Sequence, residues 1–173
     1  MEKGYIHLYT GNGKGKTTAA LGLAIRAAGA GLQVWIGQFV KGREYSEHRA
    51  LKRFEDCITV KRFGRTCFIK GAPEEKDFRA ARDGLKEVAA VLEKGTFYDM
   101  IILDEVCIAL HFNLFSVDEL LDVLKVKPAQ VELVITGRNA PVELIEYADL
   151  VTEMKEIKHY YKRGVQARKG IEE

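Results

Sequence analysis

Gly11-Asn12-Gly13-Lys14-Gly15-Lys16-Thr17-Thr18 follows the short apolar run Tyr5-Ile6-His7-Leu8-Tyr9 and precedes Ala19-Ala20-Leu21-Gly22-Leu23-Ala24. The leading run is β-prone and reads as a buried strand, and the Ala- and Leu-rich run reads as a helix. A glycine-rich turn between strand and helix is the setting of a phosphate cradle. Glycines admit φ > 0 and let the backbone approach an anion closely. Successive N–H groups then point inward, and the helix macrodipole adds about half a positive charge at the same place. Lys16 offers a mobile cation to phosphate oxygens, and the Thr17 hydroxyl is placed to ligate Mg²⁺. The spacing departs from the usual one. Three residues, Asn12, Gly13 and Lys14, separate Gly11 from Gly15-Lys16, where four are usual. Either Thr10 takes the first glycine's place, or the loop is tighter and holds phosphates in another register.

Downstream, apolar runs alternate with helical patterns, which predicts an α/β fold. Helix one should run from Lys16 to about Ala30, and Val34-Trp35-Ile36-Gly37-Gln38-Phe39 reads as an interior strand. Its exit, Val40-Lys41-Gly42-Arg43-Glu44-Tyr45, is a candidate wall for a second substrate, because ligands bind at strand carboxyl ends in open α/β sheets. A short helix is expected over His48 to Phe54 and a more exposed strand over Ile58 to Phe63. The loop from Gly64 to Pro73 carries Arg65, Cys67, Phe68 and Lys70, an aromatic among cations that either faces a planar anionic ligand or anchors the core. Glu74 to Lys94 repeats apolar residues at helical spacing.

The second decisive run is Tyr98-Asp99-Met100-Ile101-Ile102-Leu103-Asp104-Glu105. A buried strand ending in carboxylates is what a Mg·nucleotide site needs beside its phosphate loop, holding the cation directly or through water. Glu105 could instead merely start the next helix. Ser116-Val117-Asp118-Glu119 has capping-box spacing and opens a helix to about Val126. Val131 to Thr136 reads as a strand that places Thr136 and Arg138 at another carboxyl end, with a short helix over Pro141 to Tyr147 and a last strand over Asp149 to Met154. The stretch from Lys155 to Lys169 is basic, either a solvated face or a cover for an anionic ligand.

At 173 residues the chain suits one domain, 1–173. A hydrophobic fraction of 47% and a charged fraction of 30% belong to a globular protein, and a net charge of +2 is too small to argue for a polyanionic partner. No signal-peptide-like or membrane-spanning run is present, so a cytoplasmic location without membrane partners is expected. Cys57, Cys67 and Cys107 form no CxxC pair and are read as reduced thiols, and His7, His48, His111 and His159 lack metal-ligand spacing.

Taken in order, Tyr9 to Ala20, Gln38-Phe39-Val40-Lys41-Gly42, Ile102-Leu103-Asp104-Glu105, Val134 to Arg138, Ala148 to Glu153 and Gly164 to Glu172 resemble the P-loop family of ATP:cob(I)alamin (corrinoid) adenosyltransferases of the CobA/CobO/BtuR type. The resemblance spans nearly the whole chain and includes the shortened loop. It implies a three-layer, RecA-like P-loop fold with a mostly parallel sheet. It also implies attack of Co(I) on C5′ of ATP, departure of the whole tripolyphosphate, and ATP bound reversed relative to ordinary P-loop hydrolases. Gly11, Asn12, Gly13, Lys14, Gly15, Lys16, Thr17 and Thr18 would then cradle triphosphate with help from Arg138. Thr17 and Glu105 would hold Mg²⁺ or Mn²⁺, with Asp104 in its outer shell, so that Lys16, Thr17 and Glu105 carry catalysis. No side chain acts as nucleophile, since the corrinoid supplies its own. The relatives are homodimers, and the resemblance implies a homodimer and a flavodoxin-type reductant as partner here.

Two departures accompany the resemblance. The chain starts almost at the first strand, without the N-terminal helix that covers the corrinoid in some members. Arg65-Thr66-Cys67-Phe68 stands where an enterobacterial relative has Phe-Thr-Trp, which puts Phe68 in place of a tryptophan that helps displace the lower axial ligand. Two other classes compete: a P-loop kinase or ATPase of nucleoside-kinase type, and a nucleotide-gated binding protein whose basic tail meets nucleic acid.

Overall fold

The computed structural model describes residues 2–65, 69, 71–93 and 97–172. In chain order they form β1 (Ile6–Thr10), α1 (Lys16–Gly29), β2 (Val34–Phe39), α2 (Ser46–Leu51) with a 3-10 turn at Lys52–Phe54, and β3 (Ile58–Phe63). Then come α3 (Glu75–Glu93), β4 (Met100–Asp104), α4 (Val106–His111), α5 (Val117–Lys125), β5 (Glu132–Thr136), α6 (Val142–Tyr147), β6 (Leu150–Glu153) and a 3-10 turn at Tyr160–Arg163.

The six strands make one sheet in the order β3-β2-β4-β5-β1-β6. Every pairing is parallel, so the sheet is wholly rather than mostly parallel. Parallel strands need crossovers that cover both faces, and the interior strands accordingly read as continuous apolar runs. Val34, Ile36, Met100, Ile102 and Val134 face α1, whose Ala20, Ala24 and Ala27 let the helix lie close. The alternate residues Trp35, Phe39, Ile101, Leu103, Leu133 and Ile135, with Ile6 and Leu8, pack on the opposite layer beneath α3, α4 and α5.

Glycine matters where backbones meet. A Cβ on Gly84 would lie 2.5 Å from the Phe63 ring, so this glycine lets α3 sit down on β3. The strand expected from Tyr98 to Glu105 is shorter at its far end, because Glu105 leaves it with a left-handed φ of 59° and caps α4. The topology also sets what stands beside what. β5 lies between β1 and β4, so the phosphate-loop strand and the carboxylate strand are neighbours once removed, with Thr136 between them.

Candidate active site

The loop between β1 and α1 runs Gly11 to Gly15. Thr10 is the last residue of β1, paired with Glu153, so it does not stand in for a loop glycine. The loop is the tighter of the two alternatives. Gly11 and Gly15 take φ of 92° and 117°, which side-chain-bearing residues rarely adopt. The loop is sewn to the segment leaving β6. Gly13 N–H donates to the Met154 carbonyl at 2.6 Å and Met154 N–H to Thr10 at 2.8 Å. A Cβ on Gly11 or Gly13 would come within 2.6 Å of that Met154 oxygen.

Lys16 is 5% exposed, and its Nζ donates to the carbonyls of Gly11 and Gly13 at 2.6 Å each. The ammonium thus stretches across the mouth of its own loop. Burial, then the Arg138 charge, lowers its pKa from the ordinary lysine value. A desolvated cation of this kind gains more from an anionic ligand than a hydrated one does.

Asp104 ends β4 and is fully buried. Its Oδ1 accepts from Thr17 Oγ1 at 2.8 Å and from Thr136 Oγ1 at 2.7 Å. Its Oδ2 accepts from Lys41 Nζ at 2.8 Å and Gln38 Nε2 at 3.0 Å. Burial alone would raise this carboxyl, but Lys41 and the hydrogen bonds from Lys41, Thr136 and Thr17 outweigh it and hold it below the usual carboxylate range. Four donors occupy the carboxylate, so Asp104 orients Thr17 from behind. Because Thr17 gives its proton to Asp104, its lone pairs face the cleft.

Glu105 is held differently. Its N–H donates to Thr136 Oγ1 at 3.0 Å, and its carboxylate has no hydrogen-bond partner among the described residues. Burial and then the Asp104 charge raise its pKa, with Lys41, Lys16 and Arg138 pulling the other way. Val40, Glu105 and Asn139, at the exits of β2, β4 and β5, all have left-handed φ between 56° and 59°. Such backbone strain collects where surrounding structure fixes a site.

A cleft of about 750 Å³ opens over these groups. Gly13, Lys14, Gly15, Lys16, Thr17, Thr18, Glu105 and Arg138 all line it. Asn12 lines an adjoining charged cleft that shares Arg138, and Gly11 packs against Met154. Phe68 lies outside the described residues, as do Cys67 and Lys70. Lys14 is engaged by the C-terminal segment: its Nζ donates to Glu172 at 2.8 Å and to the Tyr160 hydroxyl at 3.1 Å. His159, Gly170, Ile171 and Glu172 line the cleft, so of the basic stretch from Lys155 to Lys169 only His159 reaches it, while Lys155 and Lys162 line the adjoining charged cleft. Sequence reasoning missed three parts of the network: the Lys41 contact with Asp104, Gln38, and His48 behind it. A glutamine one residue before the end of an otherwise apolar strand, in a stretch that already carries the family resemblance, was a signal for Gln38.

The donor set suits a hard cation brought by a substrate. Among the described residues no group of three or more His, Cys, Asp or Glu side chains could hold a metal by itself. One hydroxyl and one free carboxylate at the end of a phosphate cradle are what Mg²⁺ takes when phosphates and water fill its other positions.

Residues 2–172 match the family model described as ATP:corrinoid adenosyltransferase BtuR/CobO/CobP. The chain is 36% identical over 172 residues to the corrinoid adenosyltransferase of Pseudomonas aeruginosa, covering 99% of this chain and 84% of that protein. It is 38% identical over 174 residues to the corrinoid adenosyltransferase of a Sinorhizobium species, covering 99% and 81%. The corrinoid adenosyltransferase of Escherichia coli K12 is 35% identical over 172 residues, covering 99% and 86%.

Proposed function

We infer that this chain, which belongs to the ATP:corrinoid adenosyltransferase family, transfers the 5′-deoxyadenosyl group of ATP to the Co(I) centre of a reduced corrinoid and releases tripolyphosphate intact. The observation that carries the reading is the convergence of Lys16, Thr17, Glu105 and Arg138 on one cleft at the strand carboxyl ends. When C5′ is the atom attacked, negative charge builds on the leaving triphosphate, and catalysis goes to groups that hold this charge better than the ground state. Lys16 and Arg138 supply fixed cations on the cleft wall. Thr17 and Glu105 would hold Mg²⁺, which neutralises the triphosphate oxygens. Asp104 fixes the Thr17 hydroxyl, and Lys41 keeps Asp104 ionised.

The tighter loop supports a phosphate register shifted from that of hydrolases. The same reading makes Phe68 a corrinoid contact and has a flavodoxin-type reductant deliver Co(I) to a cytoplasmic homodimer. No helix among the described residues is long and apolar enough to cross a membrane. Sedimentation at micromolar concentration tests the dimer.

The reaction is tested by anaerobic incubation with Mg·ATP and chemically reduced cobalamin. Tripolyphosphate appearing in step with a light-sensitive adenosylated corrinoid is the expected result. ADP or AMP without change in the corrinoid would replace this reading with a kinase or ATPase.

A further inference from the structure

His48 lies on α2 and is 7% exposed. Its two nitrogens have separate tasks. Tyr45 N–H donates to Nδ1 at 2.7 Å, so Nδ1 is an acceptor and the neutral ring carries its hydrogen on Nε2. That hydrogen goes to Gln38 Oε1 at 2.5 Å. With its oxygen taken, the Gln38 amide must turn its nitrogen to Asp104, where Nε2 donates to Oδ2 at 3.0 Å. Gln38 is 1% exposed, so no solvent offers an alternative partner. Asp104 in turn receives Thr17. Tyr45, Ser46 and Glu47, which precede His48, line the cleft.

We propose that His48 is a positioning residue for adenosyl transfer: through Gln38 it fixes the Asp104 carboxylate that orients Thr17, tying the cleft wall at α2 to the floor of the site. The proposal rests on the reading of the cleft as the transfer site. Polarity makes the chain directional. If the Gln38 amide flipped, it would set an N–H against the His48 Nε2–H and an oxygen against a buried carboxylate, and both contacts repel.

Protonation would break the chain at its origin, because an imidazolium cannot accept from Tyr45 N–H. The groups around the ring disfavour that state. Burial first, and then the Arg62 and Lys41 charges, push the His48 pKa below its ordinary value, against Glu47. Neutral His48 is therefore the competent form, and it is lost as pH falls through the depressed folded value.

Three variants test this, with Mg·ATP affinity measured by calorimetry beside turnover. His48→Gln keeps a donor near Nε2 and does not titrate. It should stay within about threefold of the parent at pH 7.5 and lose the acid limb of the parent's pH profile. His48→Leu should weaken Mg·ATP binding and turnover about tenfold. In a Gln38→Leu background the same change should cost little more, since the relay is already cut. Nitrogen NMR of the unliganded protein should show His48 neutral with hydrogen on Nε2 at pH 7.

Hydrogen on Nδ1, an unchanged acid limb in His48→Gln, or additive losses in the double variant would each overturn the proposal. The NMR and calorimetric results judge the relay even if no adenosylated corrinoid forms, so its failure and that of the reaction are told apart.

Discussion

Lys16 ties its own loop together, its ammonium donating to the carbonyls of Gly11 and Gly13. A triphosphate bound at this loop would compete with those carbonyls for the same ammonium. Lys16→Ala should lower kcat by about 10²–10³, the cost of one preorganised charge-stabilising donor, and near-parental turnover in a steady-state assay would remove Lys16 from catalysis. Gly137 is bound by a different constraint. Its φ of 143° strains any other residue, and an added Cβ would sit 2.7 Å from Cys107 Cβ. Gly137→Ala should cost about 1–3 kcal/mol in urea unfolding and displace Thr136 from Asp104. The Lys-Thr pair was legible because strand, glycines and helix announce it in consecutive letters. Gln38, Lys41 and His48 were not, because their meaning lies in contacts across sequence separations of 10, 63 and 66 residues.

At the scale of elements, the interior strands were readable because each is a short, mostly apolar run bounded by turn residues, and the strand boundaries fell within a residue or two. α4 has only six residues, too few to display a helical period, and it is set by the cap at Glu105. The C-terminal stretch reads as a charge run, and letters alone do not reveal what an acid at its end will meet. Here the Glu172 carboxylate accepts from Lys14, from the Tyr160 hydroxyl, and from the backbone and guanidinium of Arg168. Hydrogen bonds from Arg168, Lys14 and Tyr160 hold this carboxyl well below its usual range, so the clasp holds above that lowered value and is lost as pH falls through it. Exposed ion pairs are each worth little, but these converge on one group that ties the tail to the phosphate loop. Glu172→Gln should loosen the tail and speed tryptic cleavage after Arg163, Arg168 and Lys169 several-fold, read by mass spectrometry. An unchanged cleavage rate would mean that other contacts hold the tail.

The whole molecule joins these scales through its strand order. Consecutive letters show neither that β5 separates β1 from β4 nor that all pairings are parallel, because order and direction arise from packing of distant segments. Yet that order lets Thr136, on β5, brace Asp104 on β4 while Thr17, on α1, donates to the same carboxylate oxygen. A ligand gripping the loop, the β4 exit and the C-terminal segment therefore links parts that belong to the beginning, middle and end of the chain. Binding to the folded state alone stabilises by about 2.7 kcal/mol at a hundred times Kd. For a domain of this size each kcal/mol raises Tm by about 2–4 °C, so saturating Mg·ATP should raise Tm by about 5–10 °C in scanning calorimetry. Lys16→Ala should lose most of that rise with little change in its unliganded Tm, because the contacts it gives up are within one loop. A full rise in the variant would place nucleotide binding away from this cleft, whereas a rise in neither protein would leave the cleft without its nucleotide.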